Sequence, residues 1–497
     1  MESLPQHNEF FKRFAVTLRG RLIGIFFLTF SVVRADVTLP PVFGDHMVLQ
    51  QGITLPVWGY ASPGERVSVL FGKCFQETKA DDSGRWRITF APFSSPKKSQ
   101  RLIINGKNRI EIQDVILGDV WVCAGGGSMS IPLSKSLETM KERPPFDDQI
   151  RFFFTDSSLD PHHYGKGRWV VSSSLEACTA SLSAVGYYFA RDLTSSQHLA
   201  IGMIQCTRDA IPLDSWIHAN KRGAGSENPA FLKQPSAFNE LILPIIPFSI
   251  SGVIWSDGET LLGEGALTNR SILPRLIRNW RKEWAQGPFP FYLATPVRSG
   301  DENVSSVDHY QRNGAAVRGS LPWAREAIAG TLELSATGMA VTDDLGDLDD
   351  PSSQGPLLIG RRLALLARHR FYAEEISDSG PECRAISFEK NKVRVSFETH
   401  GSHLTLAMSP VASQGDFPRM STSLKGFALR GEGGRWFPAQ GRIDGESVVL
   451  TADSVPSPKA VRYNWKDSPD GNLYDFKGLP ARSFRSDSDQ PIVSGNL

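Results

Sequence analysis

Three consecutive glycines and a serine, Gly125-Gly126-Gly127-Ser128, follow an apolar stretch at an expected strand-to-helix turn. Glycine accepts the backbone conformations of tight turns, and successive N–H groups in such a turn can hold an anion or a carbonyl oxygen. The Ser128 hydroxyl is an oxygen nucleophile if a base activates it. The residue types therefore allow acyl chemistry, although the sequence favours a flexible loop with a surface or capping serine.

A base for Ser128 must come from another loop. The acidic loop that ends at Asp350 offers none, because no histidine lies between His309 and His369. His309 and the pair His162-His163 are the candidates, but a loop histidine is more often solvated. Cys123 is an alternative nucleophile in name only, since a cysteine at the end of an apolar strand is usually buried and inert.

Carboxylates suggest two further kinds of site. Asp257 and Glu259 could pair as acid and base on a glycoside if their spacing suited that reaction. A calcium ion could in principle bind an acidic run that lacks the fixed spacing of a calcium loop, so we expect a solvated loop there and predict no metal and no cofactor. The run comprises Asp343, Asp344, Asp347, Asp349 and Asp350.

The surrounding pattern predicts three domains after residue 35. Residues 36–114 alternate β-rich runs with turns and predict an N-terminal β-domain. Residues 115–375 alternate apolar runs with helical patterns, as a parallel sheet covered on both faces does, and residues 376–497 return to strands. Strands are expected at 115–123, 200–206, 250–255, 290–294 and 338–341, and helices at 184–193, 239–246, 271–284, 323–329 and 358–371.

The first 35 residues have the pattern of a signal peptide. Basic residues precede the apolar run Leu22 to Val33, and Val33-Arg34-Ala35 offers small residues for cleavage. The run is shorter than the roughly 20 residues of a membrane-spanning helix, so an uncleaved anchor is the less favoured alternative. We expect a secreted or periplasmic protein that begins at Asp36, with no membrane span after cleavage.

Composition narrows the classes of function. The chain of 497 residues is 40% apolar and carries a net charge of +1, which fits a folded protein with no basic field for nucleic acid. Its five cysteines form no C-x-x-C pair, so neither a zinc site nor a disulfide framework is indicated.

From Val120 to Leu133 the sequence resembles the block V-W-L-C-S-G-Q-S-N-M-E-M-P-L of the sialate O-acetylesterases. The similarity is collinear from about residue 39 to 487 and includes residues 47–50, 57–59, 183–189, 252–259, 276–281, 460–465, 472–474 and 478–485. It implies an SGNH-hydrolase-like, flavodoxin-like parallel sheet flanked by helices, with β-domains at both ends. It also implies removal of O-acetyl groups from sugars by the serine of G-Q-S-N-M.

The differences from the family pattern lie at the chemistry. Without a gap, the family's nucleophilic serine falls on Gly127, and its catalytic histidine falls on Ser352, while Asp350 keeps the aspartate. Asp209-Ala210 replaces a Gly-Gly pair expected near the substrate. The binding positions implied by the resemblance are Gly125, Gly126, Asp257 and Glu259.

Three hypotheses follow. In the first, the chain is an exported, catalytically degenerate homologue whose cleft binds carbohydrate or acts as an interaction module, since loss of the nucleophile or base costs on the order of 10⁶ in turnover in unrelated triad enzymes. Alternatively, it is an active esterase of O-acetylated sialic acid or other glycans, with Ser128 as relocated nucleophile and a remote histidine. In a third, structural hypothesis, the β-domains mediate assembly and the central domain is only a core.

Overall fold

The protein is described here from a computed structural model. It describes residues 36–94, 98–138, 147–155, 167–172, 181–209, 211–218, 236–257, 266–298, 321–346, 355–407 and 420–489. The expected signal peptide therefore lies outside the described residues. Residues Asp36–Leu497 group into one compact unit.

The strands are β1 Val48–Gln50, β2 Leu55–Tyr60, β3 Arg66–Phe71, β4 Cys74–Lys79, β5 Arg85–Phe90, β6 Gln100–Asn105, β7 Arg109–Gly125, β8 Ile150–Thr155, β9 Gly167–Val171, β10 Ile201–Thr207, β11 Gly252–Ser256, β12 Phe291–Ala294, β13 Thr337–Ala340, β14 Glu382–Glu389, β15 Lys392–Glu398, β16 Leu404–Leu406, β17 Phe427–Arg430, β18 Trp436–Pro438, β19 Gln440–Asp444, β20 Ser447–Thr451, β21 Ala460–Tyr463, β22 Leu473–Asp475 and β23 Phe484–Arg485. The α-helices are α1 Leu133–Glu138, α2 Ala184–Gln197, α3 Ala266–Trp284, α4 Leu321–Gly330 and α5 Gly355–Arg370.

A mostly parallel sheet forms the centre of the molecule, in the order β13-β12-β11-β7-β10-β8-β9. Every neighbouring pair in this order is parallel except β8 and β9. Without that edge pair, the strands have the flavodoxin-like order 2-1-3-4-5, with β7 as the first strand. The expected fold class is confirmed.

The sheet is buried on both faces, which explains why its strands are nearly continuous apolar runs. Val120 and Val122 of β7 belong to one core together with Leu276 and Trp280 of α3. Trp121, on the opposite face, packs in a second core with residues of α2 and α5 such as Phe189 and Leu363. The alternation follows from the two-residue repeat of a strand.

Strand β7 joins the parallel sheet to the amino-terminal β region. Its first half pairs antiparallel with β6 and parallel with β1, and its second half lies between β10 and β11. The expected boundary at residues 114 and 115 thus falls inside one strand, where Asp114 has a φ of 51°. The division into three domains stays a proposal.

The carboxyl-terminal region forms antiparallel sheets, as the alternating pattern predicts. The described sheets have the orders β14-β15-β20-β19 and β18-β17-β21-β23, with the pair β16-β22 beside them. They share a core that includes Val395, Leu450 and Tyr463.

Two sequence predictions differ from the structure. Residues 239–246 do not form an α-helix: a π-helical turn, Phe238–Ile242, is followed by a 3-10 turn, Leu243–Ile245, because Pro244 has no N–H to continue a helical ladder. Strands β8 and β9 were not predicted, since the consecutive aromatic residues Phe152, Phe153 and Phe154 give β8 no two-residue alternation. Among the described residues, no helix is long and apolar enough to span a membrane.

Candidate functional site

The glycine turn lies at the carboxyl end of β7, between the ends of β10 and β11. The registers place Gly125 beside both Thr207 and Ser256. In open α/β sheets, ligands bind outside the carboxyl ends of the strands, where the strand order reverses. In the described sheet the strand order reverses at β7, since β10 lies on one side of it and β11 to β13 lie on the other. The fold therefore places the turn where a substrate crevice is expected.

Backbone hydrogen bonds fix the turn to both neighbours. The Gly126 N–H donates to the Ser256 carbonyl at 3.1 Å, and the Arg208 N–H donates to the Gly125 carbonyl at 2.8 Å. A 3-10 turn, Gly127–Ser130, follows, and its first residue has a φ of 54°. The flexible loop favoured by the sequence is wrong for this segment, because these contacts hold it on both sides.

The close approach of the neighbouring strands requires glycine at two positions. A Cβ on Gly125 would lie 2.2 Å from the Ser256 carbonyl oxygen, and one on Gly126 would lie 2.8 Å from the Arg208 carbonyl oxygen. Both atoms belong to the backbone and cannot move away as a side chain can. A glutamine at position 126, as in the family pattern, would require residues 208 and 209 to shift.

The Asp209 carboxylate occupies the donor that the turn offers. The Gly127 N–H donates to Asp209 Oδ1 at 2.8 Å, a charge-assisted bond. The Arg208 guanidinium, next to Asp209 in the sequence, pairs with Glu240. It therefore does not neutralise the Asp209 carboxylate by a direct contact. The Gly127 N–H is therefore already engaged by an anion of the protein itself.

Ser128 lies in the 3-10 turn, and its side chain is 6% exposed. Its hydroxyl forms no hydrogen bond with any other described residue, and none of the described histidines contacts it. His218, for example, stacks on Phe238 and lies 3.6 Å from Glu283. His162, His163 and His309, the candidate bases, lie outside the described residues.

Cys123 is fully buried in β7, and burial raises the pKa of its thiol to about 12. A thiol that stays protonated at neutral pH is a poor nucleophile. The expectation that Cys123 is buried is confirmed, and its inertness stays a prediction.

The other sequence candidates are placed only in part. Asp257 follows β11 directly and is buried, with 1% of its surface exposed, next to the Ser256 carbonyl that holds the turn. Glu259, Asp350 and Ser352 lie outside the described residues. The roles expected for them remain predictions.

The acidic run is not a solvated loop at its beginning, so that expectation is wrong for Asp343 and Asp344. Both are buried. Arg362 Nη1 and Nη2 donate to Oδ1 and Oδ2 of Asp344 at 2.5 and 2.8 Å, and the Tyr474 hydroxyl donates to Oδ2 at 3.1 Å. Asp344 is thus a structural carboxylate between the α/β core and the last β region.

Asp343 lies beside a buried cation, with its Oδ2 3.7 Å from Arg325 Nε. Burial raises the pKa of this carboxyl to about 6, although the Arg325 charge opposes that shift. Within the described part of the chain, no cluster of three or more potential metal ligands occurs.

Sequence reasoning noted the replacement at Asp209 but not its contact with Gly127. The sequence holds only part of the signal: Asp209 comes two residues after the end of β10, and the glycines end β7, but the sequence does not show that these two strands are neighbours. Because β7 and β10 are neighbouring parallel strands, their ends meet at one edge of the sheet.

Comparison with known proteins identifies relatives of the whole architecture. A crystal structure of a carbohydrate acetylesterase from Xanthomonas citri is 30% identical, covers 91% of this chain and 100% of its own, and superposes with a TM-score of 0.78. Sialate O-acetylesterase from Homo sapiens is 23% identical over 395 residues, or 68% of this chain and 72% of the human protein. The Mus musculus enzyme is 23% identical over 412 residues, or 68% of this chain and 74% of the mouse protein. No protein-family model matches.

The structural relative matches nearly the full described chain at an identity that shows common descent, and the curated relatives carry the name that the sequence motifs imply. The chain therefore belongs to the sialate O-acetylesterase family of carbohydrate acetylesterases.

Proposed function

We propose that this chain is an exported, catalytically degenerate member of the family that binds carbohydrate without hydrolysing its esters. The observation that carries the proposal is the hydrogen bond from the Gly127 N–H to the Asp209 carboxylate. Gly127 stands at the expected nucleophile position, and its own N–H already donates to the carboxylate of Asp209.

Ester hydrolysis develops a negative charge on the substrate carbonyl oxygen, and backbone N–H groups normally stabilise it. Removing one such donor costs about 100- to 1,000-fold in turnover in a serine protease. Here the donor is engaged and a second negative charge lies beside the same position. Two unit charges about 4 Å apart repel by about 1 kcal/mol in water and more near a protein surface. Both effects oppose the transition state.

The replacements at positions 126, 127 and 209 support one another. Gly126 leaves space for the Arg208 carbonyl and for Asp209, whose Cα lies 3.3 Å from a Cβ placed on Gly126. The carboxylate then reaches the N–H of Gly127. This fit favours a stable turn without catalysis.

The ligand class follows from the relatives. The Xanthomonas citri protein is described as a carbohydrate acetylesterase and the mammalian ones as sialate O-acetylesterases. We infer that the crevice at the end of β7 accepts an O-acetylated sugar. Gly127, Asp350 and Ser352 are the positions at which we expect the family's catalytic serine, aspartate and histidine.

An active esterase with Ser128 as nucleophile is the second candidate. It is favoured by a hydroxyl that has no hydrogen-bond partner among the described residues and by its place next to Gly127. Against it, Ser128 lies one residue after the family's nucleophile position, and an error of about 1 Å in the placement of a reacting group can cost roughly 100-fold in rate.

Hydrolysis assays with the purified protein separate the two candidates. We expect no turnover of a chromogenic acetate ester or of O-acetylated sialic acid above the background of buffer. Ser128→Ala should match the wild type, as should the control Ser130→Ala, which removes a hydroxyl from the same turn. Turnover that Ser128→Ala abolishes and Ser130→Ala retains would establish the active esterase instead.

Export is a separate part of the proposal and rests on the basic and apolar pattern of residues 1–35. In a secreting host, the exported protein should begin at Asp36. Intact-protein mass spectrometry checks this, and a mass that includes residues 1–35 would contradict cleavage at Ala35.

A further inference from the structure

A second concave site lies at the opposite edge of the parallel sheet. It is an open groove of about 830 Å³ near the amino ends of the parallel strands. Asp119, on its floor, is six residues before Gly125 in β7, so the groove lies roughly 20 Å from the glycine turn at about 3.3 Å per residue. A molecule bound there would not touch the esterase turn.

The groove has a polar floor. The Asp119 carboxylate accepts hydrogen bonds from Gln50 Nε2 at 2.9 Å and from the Tyr372 hydroxyl at 2.8 Å. Gln51 Nε2 reaches the same carboxylate at 3.4 Å, a long and weak contact. Gln51 is only half-buried, so its amide can turn to a ligand while Asp119 keeps its other partners.

The groove walls are aromatic and held in place. Phe371 is 39% exposed, and its ring packs edge-to-face against Trp121 and Tyr372, with centroids 5.5 and 4.9 Å away. Phe93, which also lines the groove, packs edge-to-face against Phe71 at 5.3 Å. Fixed rings lose little conformational freedom when a ligand binds.

We propose that this groove binds a neutral pyranose or a short neutral oligosaccharide. A sugar presents hydroxyls that both donate and accept, which suits the half-buried Gln51 amide, and an apolar C–H face, which suits an exposed ring such as Phe371. Asp119 is only 4% exposed and holds the floor together rather than facing the ligand. The volume lies within the range of about 300–1,000 Å³ typical of small-molecule sites and fits a disaccharide.

Charge distinguishes neutral from acidic sugars. The described lining residues include the acid Asp119 and no lysine or arginine. Among the described lining residues, a sugar carboxylate would therefore meet a carboxyl group and no cation. This separates the groove from the crevice at Gly127, for which a relative's name suggests an acidic sugar, and the groove proposal does not depend on the esterase turn.

Binding can be measured on the full mature chain by saturation-transfer NMR and calorimetry. The probes are methyl β-glucoside, its disaccharide cellobiose and, as a matched anionic probe, methyl β-glucuronide. We expect the glucosides to bind and the glucuronide to bind at least 10-fold more weakly. Phe371→Ala and Gln51→Ala should each weaken glucoside binding about 10-fold, since each removes a group that faces the ligand.

Matched controls are Phe476→Ala, which removes a ring that is 76% exposed outside the groove, and Gln76→Ala on β4. Both should bind like the wild type, and thermal melts establish that all variants fold. Absence of binding by either glucoside, equal binding of the glucuronide, or loss of binding in Asp209→Asn with retention in Phe371→Ala and Gln51→Ala would each overturn the groove proposal. None of these results bears on ester hydrolysis, which the Ser128 assays report separately.

Discussion

The double variant Gly127→Ser, Ser352→His is expected to remain nearly inactive on acetate esters until Asp209→Gly is added. The two restored residues supply a nucleophile and a base, but the residue 127 N–H still donates to the Asp209 carboxylate. Releasing that donor should raise turnover by about 100- to 1,000-fold, the usual effect of one oxyanion donor. The test is therefore the ratio of turnover in the triple variant to turnover in the double variant.

Turnover of a chromogenic acetate by the double and triple variants measures this increase. The matched control adds Asp82→Gly, at an exposed turn before β5, in place of Asp209→Gly and should give no gain. A serine at φ 54° costs about 1–2 kcal/mol of stability, so circular dichroism must establish that the variants fold. Equal turnover in the double and triple variants would show that Asp209 does not block the turn.

Asp344→Ala is expected to destabilise the protein by about 3–5 kcal/mol, the usual effect of breaking a buried ion pair. The substitution leaves the Arg362 guanidinium buried with the Val341 carbonyl as its remaining described hydrogen-bond partner, and it removes the acceptor of the Tyr474 hydroxyl. Because Tyr474 lies in the last β region, the loss also weakens its attachment to the α/β core.

Urea denaturation gives the change in the free energy of unfolding. Asp444→Ala is the control, because the Asp444 carboxylate binds Arg394 at 2.8 Å on the surface, where ion pairs add little to stability. The control should unfold near the wild-type midpoint. An Asp344→Ala midpoint equal to that of the control would mean that the buried pair does not hold the two regions together.

Much of the fold could be predicted from the sequence because the second half of β7 and the strands β10 to β13 are short apolar runs between helical patterns. Helix α3 shows why this works: Leu276, Ile277 and Trp280 repeat at helical spacing and are all buried. The continuity of β7 could not be predicted, since Asp114 interrupts the apolar pattern exactly as a turn residue would. Local pattern does not distinguish a kinked strand from two strands.

The candidate site could be predicted less completely. The position of the glycine turn followed from the motif, but the contact between Gly127 and Asp209 depends on two strands that are adjacent only in the folded sheet. Asp344 shows the same limit, because its partners Arg362 and Tyr474 are distant in sequence. An acidic run looks like a solvated loop until the residues that neutralise it are known.

Labelling of the native protein with a serine-reactive fluorophosphonate tests the proposed loss of catalysis most directly, because the reagent reacts with any serine that a base has activated. A catalytically competent serine hydrolase serves as positive control. We predict no label on the native chain, at Ser128 or elsewhere. Stoichiometric labelling that disappears in Ser128→Ala would contradict the proposal and identify Ser128 as a working nucleophile.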